Sequence, residues 1–353
     1  MNFARGLMKN SSFKTKNLIV SFLVFIVIIL PITSCKKEKS SPKVIDVYVV
    51  GYENIGTKDV ARIWKNGVTT SLTDGINGAD ANSVFVQGND VYVAGYESNG
   101  AKYVAKIWKN GVATSLTDGT QHSYANSVFV QGNDVYVAGY EYNGTKYIAK
   151  VWKNSLATNL TDGTLDAYVQ SIFVQGNDVY VAGYEYNGIM FIAKFWKNGV
   201  ATSLTDGTHS AYAESVFVQG NDIYVVGNEK NGTTKVAKIW KNGVATSLTD
   251  GTHNAYAESV FVQGNDIYVV GNEDFGTNRI AKIWRNGVAT NLSDGTVYTI
   301  ANSVFVQGND VYVTGFEYNG TTNIAKIWKN GVVTNLTDAT QFASAKSIFV
   351  VER

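Results

Sequence analysis

Apolar residues in this chain come in short bursts that return on a fixed beat. Each beat holds four runs. "SVFV" is short and apolar, and "DVYVAGYE" is apolar almost throughout. "YIAKVWKN" is mixed and aromatic, and "VATSLTDG" alternates, with Ser and Thr to one side. β-branched and aromatic residues dominate and turn residues separate the runs, which predicts four short antiparallel strands per unit. The "QGND" and "KNG" turns fit tight hairpins. So do the turns with Gly at 56, 100, 144, 188, 232, 276 and 320, because Gly and Asn accept the positive φ that such turns require.

The beat is 44 residues. Trp64, Trp108, Trp152, Trp196, Trp240, Trp284 and Trp328 keep that step without an insertion or deletion. Tyr48 to Tyr312 in the "VYV" or "IYV" run, and Ser83 to Ser347 before "VFV" or "IFV", keep it too. The first two runs lack a polar face, so their strands are expected to be buried on both sides. The last is expected at the water. Four strands per unit, inner ones sandwiched and the outer one wet, repeated seven times, predict an all-β chain. Its architecture is a seven-bladed β-propeller of four-stranded antiparallel blades, with the Tyr and Trp columns packed between blades. An open array of sheets or a β-solenoid is the alternative. The chain starts its first unit on the second strand, "DVYVVGYE" (46–53), and finishes on the missing first strand, "SIFVV" (347–351). The C-terminal strand is therefore expected to pair into the first blade and close the ring, removing two open edges.

The stretch "VFVQGNDVYVAGYE" (128–141), with a Trp in the following strand, resembles kelch-type propeller repeats. The kelch Gly-Gly doublet is here Gly139-Tyr140, Gly227-Asn228 or Gly315-Phe316, and the WD dipeptide of WD-repeat propellers is absent. The resemblance implies an architecture and not an activity, since propellers host hydrolases, lectins and scaffolds alike.

Composition adds the ends and the limits. The chain has 353 residues, 45% of them hydrophobic, enough for a sizeable core. A net charge of +1 offers no basic face for nucleic acid. The single cysteine, Cys35, cannot form an internal disulfide. It follows a basic leader (Arg5, Lys9, Lys14, Lys16), the apolar run "LIVSFLVFIVIIL" (18–30) and the small residues of "ITSC" (32–35). These are the parts of a secretory signal, and their end resembles the lipobox of bacterial lipoproteins. The resemblance implies a signal peptide over 1–34, lipidation of Cys35 and a polar tether to residue 45 that includes "KKEKSSPK" (36–43). The propeller follows over 46–353. It also implies a membrane-anchored protein of the cell envelope, at the outer membrane, with the side it faces left open. Cleavage would remove four positive charges and no negative one, turning +1 into −3. An uncleaved membrane helix over 17–34 is the alternative; it would be short and would contain Pro31.

A position shared by all seven units answers a packing problem common to all blades, so binding is expected where the units diverge. The "QGND" and "KNG" turns hardly change. The hairpins between strands two and three, and the links between units, change a great deal. Alternate turns of a meander share a face, so one face is invariant and the other variable. The variable face is expected to carry Tyr124, Tyr168, Tyr212 and Tyr256 in one column, with Asp80, Ile300 and Ser344 at the same position. Two residues on stand Asn82, Asn126, Gln170, Glu214, Glu258, Asn302 and Lys346. Aromatic platforms beside amides and carboxylates suit a glycan or a protein rim; the same tyrosines also suit a cap over the blade ends.

Little else carries chemistry. His209 and His253 occupy equivalent links and His122 is one place later in its own, without the Cys or carboxylate spacing of a metal site. "DGINGAD" (74–80) is oxygen-rich but lacks the distal Glu of a calcium loop. Glu53, Glu97 and their five repeats face Arg62, Lys106 and theirs, which predicts a repeated cross-strand pair. No catalytic residue, cofactor or metal site is assigned. The expectation is a monomeric propeller that binds a glycan or protein on its variable face. A hydrolase or lyase with a shallow polar site near Glu214, Glu258 and His209, and a pure scaffold, are the alternatives.

Overall fold

Each 44-residue unit folds into four antiparallel strands, as its four runs predict. The computed structural model describes residues 43–353, where 28 strands, β1 to β28 in chain order, form seven four-stranded sheets. The expected signal peptide, Cys35 and most of the expected tether lie outside the described residues. Among the described residues no helix is long and apolar enough to cross a membrane.

Blade 2 is representative: β4 (Ala79–Gln87), β5 (Asp90–Ser98), β6 (Tyr103–Lys109) and β7 (Val112–Ser115) lie in that order, innermost to outermost. Blades 3 to 7 follow over 123–159, 167–203, 211–247, 255–291 and 299–335. The β6–β7 turn shows why "KNG" recurs. Asn110 and Gly111 take φ of 51° and 81°, the left-handed pair of a type I′ turn. The Asn110 side chain also accepts from the Val91 amide at 2.8 Å and donates to Asp90 at 2.8 Å, tying the turn to the start of β5. Lys109 completes the corner, 2.7 Å from Asp90 and over the Tyr92 ring.

The core lies between blades. Tyr92 of blade 2 packs with Val137 and Trp152 of blade 3, and the same pairing of one blade's Tyr with the next blade's Trp recurs around the ring. All seven tryptophans are fully buried. All four residues of β7 are exposed, so the alternation in the last run marks no buried face; the first buried side chain there is Leu116, just past the strand.

The ring closes through the chain ends. β28 (Ala343–Glu352) pairs with β1 (Ile45–Ile55), Phe349 opposite Tyr48 and Ser347 opposite Val50, to complete blade 1 with β2 (Lys58–Lys65) and β3 (Val68–Ser71). Val44 and Arg353 exchange backbone hydrogen bonds of 3.0 and 2.8 Å. Side chains stitch blade to blade. Gln131 donates to the Gly176 carbonyl in the next blade, and Arg353 makes the matching contact to Gly88 at the closing interface. Ser83 accepts from the Val128 amide, and Ser347 from that of Val84.

Candidate functional site

The axis of the ring is lined by one residue per blade, and a bulge puts it there. In β4 the register skips from Ala81, opposite Gly95, to Ser83, opposite Ala94, leaving Asn82 as the extra residue. Every blade repeats this bulge. A bulge leaves its extra residue out of the ladder and re-aims its side chain. Here it yields the ring Asn82, Asn126, Gln170, Glu214, Glu258, Asn302 and Lys346. Asn82 donates to the Ala125 carbonyl of the next blade, and Asn126 to Gln170 Oε1 at 2.8 Å and the Val169 carbonyl at 2.9 Å. Gln170 Nε2 donates to the Tyr184 hydroxyl, and Asn302 to the Ala345 carbonyl. The amides thus form a chain around three blades, and the two carboxylates come next.

Glu214 is held well above the ordinary glutamate range by burial first and by the charge of Glu258 second, with Lys235 opposing. Glu258 is raised by burial, with Arg279, Lys346 and Lys235 pulling it back. Asp80 is buried with no partner for Oδ1, and its pKa is pushed up to about 6 by burial; Lys346 Nζ stands 3.8 Å away. Toward the invariant face stands a collar of seven phenylalanines. Phe85, Phe129, Phe173, Phe217, Phe261, Phe305 and Phe349 form a closed cycle, each ring centroid 4.8–4.9 Å from the next.

The variable face is asymmetric. Tyr124 and Tyr168 pair in register with Tyr140 and Tyr184 on the next strand, and Tyr103, Tyr147 and Phe191 on the third strand pack against both sets. The contacts are tilted or edge-to-face at 4.9–6.4 Å and run unbroken from Tyr96 to Tyr212. Such pairs stabilise beyond the area they bury. Burial pushes the Tyr124 and Tyr168 hydroxyls up to about 12. Both rings are half-buried, so they pack over the blade ends while one side stays open.

Beyond Tyr212 the arc changes character. The third-strand position that holds Tyr103, Tyr147 and Phe191 holds Lys235 and then Arg279 in blades 5 and 6. Lys235 Nζ lies 5.3 Å from the Tyr212 centroid and 4.9 Å from that of Tyr256, and Arg279 lies 4.5 Å from the latter. The sequence reading missed this column, although the 44-residue step carries it: 103, 147, 191, 235, 279.

The candidate residues divide into two places. Tyr124, Tyr168, Tyr212 and Tyr256 share the arc, with Asn126, Gln170, Glu214 and Glu258 on the channel wall. His209 lines a separate cleft of about 200 Å³ with Glu229, Lys238 and Asp250, and Glu214 is not among its walls. His209 and His253 each contact the preceding threonine, Thr208 and Thr252, through Nδ1. Among the described residues no three His, Cys, Asp or Glu side chains gather as a metal site. The repeated Glu–Lys/Arg pair forms in all seven blades, as Glu53–Arg62 at 2.9 Å and Glu97–Lys106 at 3.3 Å illustrate.

A scan against protein-family models finds no match, and neither does a search of curated proteins. Solved structures do resemble the ring. The acylaminoacyl peptidase of Pyrococcus horikoshii superposes with a TM-score of 0.53 at 12% identity, over 83% of this chain and 51% of the peptidase. This chain thus spans about half the length of that enzyme. TolB from Acinetobacter baumannii gives a TM-score of 0.47 at 10% identity, over 71% of this chain and 64% of TolB. At such identities the peptidase match speaks for the propeller fold alone.

Proposed function

We propose that this chain is a lipid-anchored, non-catalytic binding module of the bacterial cell envelope, at the outer membrane, that holds a glycan or protein ligand on its variable face. The anchor is the lipobox-like Cys35, and the kelch-like repeat supplies the frame. The observation that carries the reading is the arc from Tyr96 to Tyr256. Half-buried aromatic side chains run in unbroken contact from Tyr96 to Tyr212, and Lys235 links Tyr212 to Tyr256, on the face where the units diverge. A purely structural cap has no reason to be restricted to some of seven equivalent blades. Half-open aromatic side chains edged by amides suit the C–H faces of sugar rings or the rim of a protein interface.

A glycan array probed with residues 36–353 tests this. Binding that Tyr212→Ala and Tyr256→Ala abolish supports it; a blank array, together with no captured protein partner, removes it. A second reading, a hydrolase or lyase, draws on the adjacent carboxylates Glu214 and Glu258, whose raised proton affinity suits acid–base work. Turnover lost in Glu214→Gln would favour it. The expected result is no turnover.

A further inference from the structure

From Lys235 and Arg279 we infer that the ligand of the arc is an acidic glycan, whose carboxylate is gripped between these two side chains over Tyr256. The inference rests on the binding-module reading above and adds the ligand's charge.

Lys235 and Arg279 stand where blades 2 to 4 carry Tyr103, Tyr147 and Phe191, so the aromatic path ends in two cations. Both lie within 5 Å of one ring centroid, at 4.9 and 4.5 Å. Most lysines and arginines in the propeller strands have a carboxylate within 4.0 Å. Lys235 has none among the described residues, and it is half-buried between two tyrosine rings. A half-buried ammonium gains more from an arriving anion than a fully solvated one, because water screens it less. Arg279 is pre-aimed: its Nε donates to Asp274 Oδ1 at 2.8 Å, and its terminal nitrogens have no protein partner among the described residues. A guanidinium fixed at Nε presents its terminal nitrogens as a fork that fits a carboxylate. Cation–π contact with the Tyr256 ring holds each cation beside it, Lys235 also contacting Tyr212 and Arg279 also contacting Tyr298.

Glu214 and Glu258 lie on the channel wall and act on the same sector. Burial raises the proton affinity of both while Lys235 opposes it, and neither carboxylate comes within 4.0 Å of Lys235 Nζ. A glycan fits better than an acidic peptide. The arc is a band of half-open rings, and the free sheet edges a peptide would extend lie at the outer rim, in strands such as β7.

The test compares a hexuronate oligosaccharide with its methyl ester, which keeps the sugar and removes the charge. Binding to the full-length chain in detergent is measured by calorimetry. The acid is expected to bind at least ten-fold tighter than the ester. Lys235→Met and Arg279→Met are each expected to remove most of that preference while leaving the melting temperature near wild type. Equal affinity for acid and ester, or acid binding untouched by both substitutions, overturns the clamp and leaves the binding module standing. An acidic peptide that binds with the same dependence on Lys235 overturns the glycan assignment. Failure to bind any sugar on the array, neutral or acidic, removes the glycan reading and the clamp together.

Discussion

A Cβ placed on Gly227 would sit 1.9 Å from the backbone carbonyl oxygen of Tyr212. The same conflict, at 1.8–2.1 Å, exists at Gly51, Gly95, Gly139, Gly183, Gly271 and Gly315. This glycine follows the apolar core of the second strand in every unit, and its role is clearance: the bulge that turns Glu214 or Asn126 toward the axis pushes a carbonyl against the neighbouring strand. Any side chain there must move backbone, and overpacking of this kind costs about 1–3 kcal/mol or more. Gly227→Ala is expected to lose at least ~3 kcal/mol in urea unfolding and to disturb the channel wall beside Glu214. A stability loss under 1 kcal/mol would show that the bulge can relax.

Blade 3 departs from the Asn-Gly turn. Asn154 and Ser155 take φ of 51° and 67°, so a serine occupies the left-handed place that glycine fills in the other six blades. A non-glycine residue there costs roughly 1 kcal/mol, part of which is returned by the stiffer unfolded chain. Ser155→Gly is expected to stabilise the protein by about 0.5–1 kcal/mol, read as a rise in melting temperature. A fall would mean that the serine makes a compensating contact.

Closure depends on the last strand. Deleting residues 347–353 removes the β1 partners from Ser347 onward and reopens two edges, so the melting temperature is expected to fall by many degrees. Arg353→Ala removes its contacts to Asp46, Asn89 and Gly88 and is expected to cost about 1 kcal/mol, since these groups are partly solvated. An unchanged melting curve in the deletion would mean that the ring does not need its closing strand.

Glu214 and Glu258 bind protons more tightly in the fold than in the unfolded chain. Their contribution is therefore most favourable below the ordinary glutamate value of 4.5 and is lost as pH rises through the raised folded value. Glu214→Gln is expected to raise stability at neutral pH by about 1–3 kcal/mol and to flatten the decline of stability between pH 5 and 9. Denaturant melts across that range check it; a wild-type profile already flat would place the pair in open water.

Each tryptophan plugs the interface between its own blade and the one before. Trp196→Ala is expected to cost about 3–5 kcal/mol, the range for a fully buried aromatic replaced by alanine. Circular dichroism during thermal unfolding will report it.

Much of the fold was legible because the repeat acts as a ruler. Trp64 to Trp328 give the number of blades, and "SIFVV" shows which strand was missing from the first. The division into an invariant and a variable face followed from counting turns. What stayed hidden was local geometry that no spacing reveals. The first strand reads as a plain apolar run, yet it carries a bulge, so Asn82 faces the axis because it is the extra residue. Phe85 belongs to the same run and gives no sign of the collar. Lys235 was hidden for a different reason: among the varied hairpin residues it resembles any surface lysine, and only the packing of Tyr212 and Tyr256 around it sets it apart.

The position of β1 also decides how the ring bears a load. It starts beside the "QGND" turns, on the face opposite the arc, and lies between β28 and β2, hydrogen-bonded on both sides. A pull on Lys43 along the strand axis therefore strains two ladders in shear, with many bonds sharing the force at once. They cannot be peeled apart one by one as an edge strand would be. The blade assembled from both ends of the chain is thus well built to withstand tension applied at Lys43.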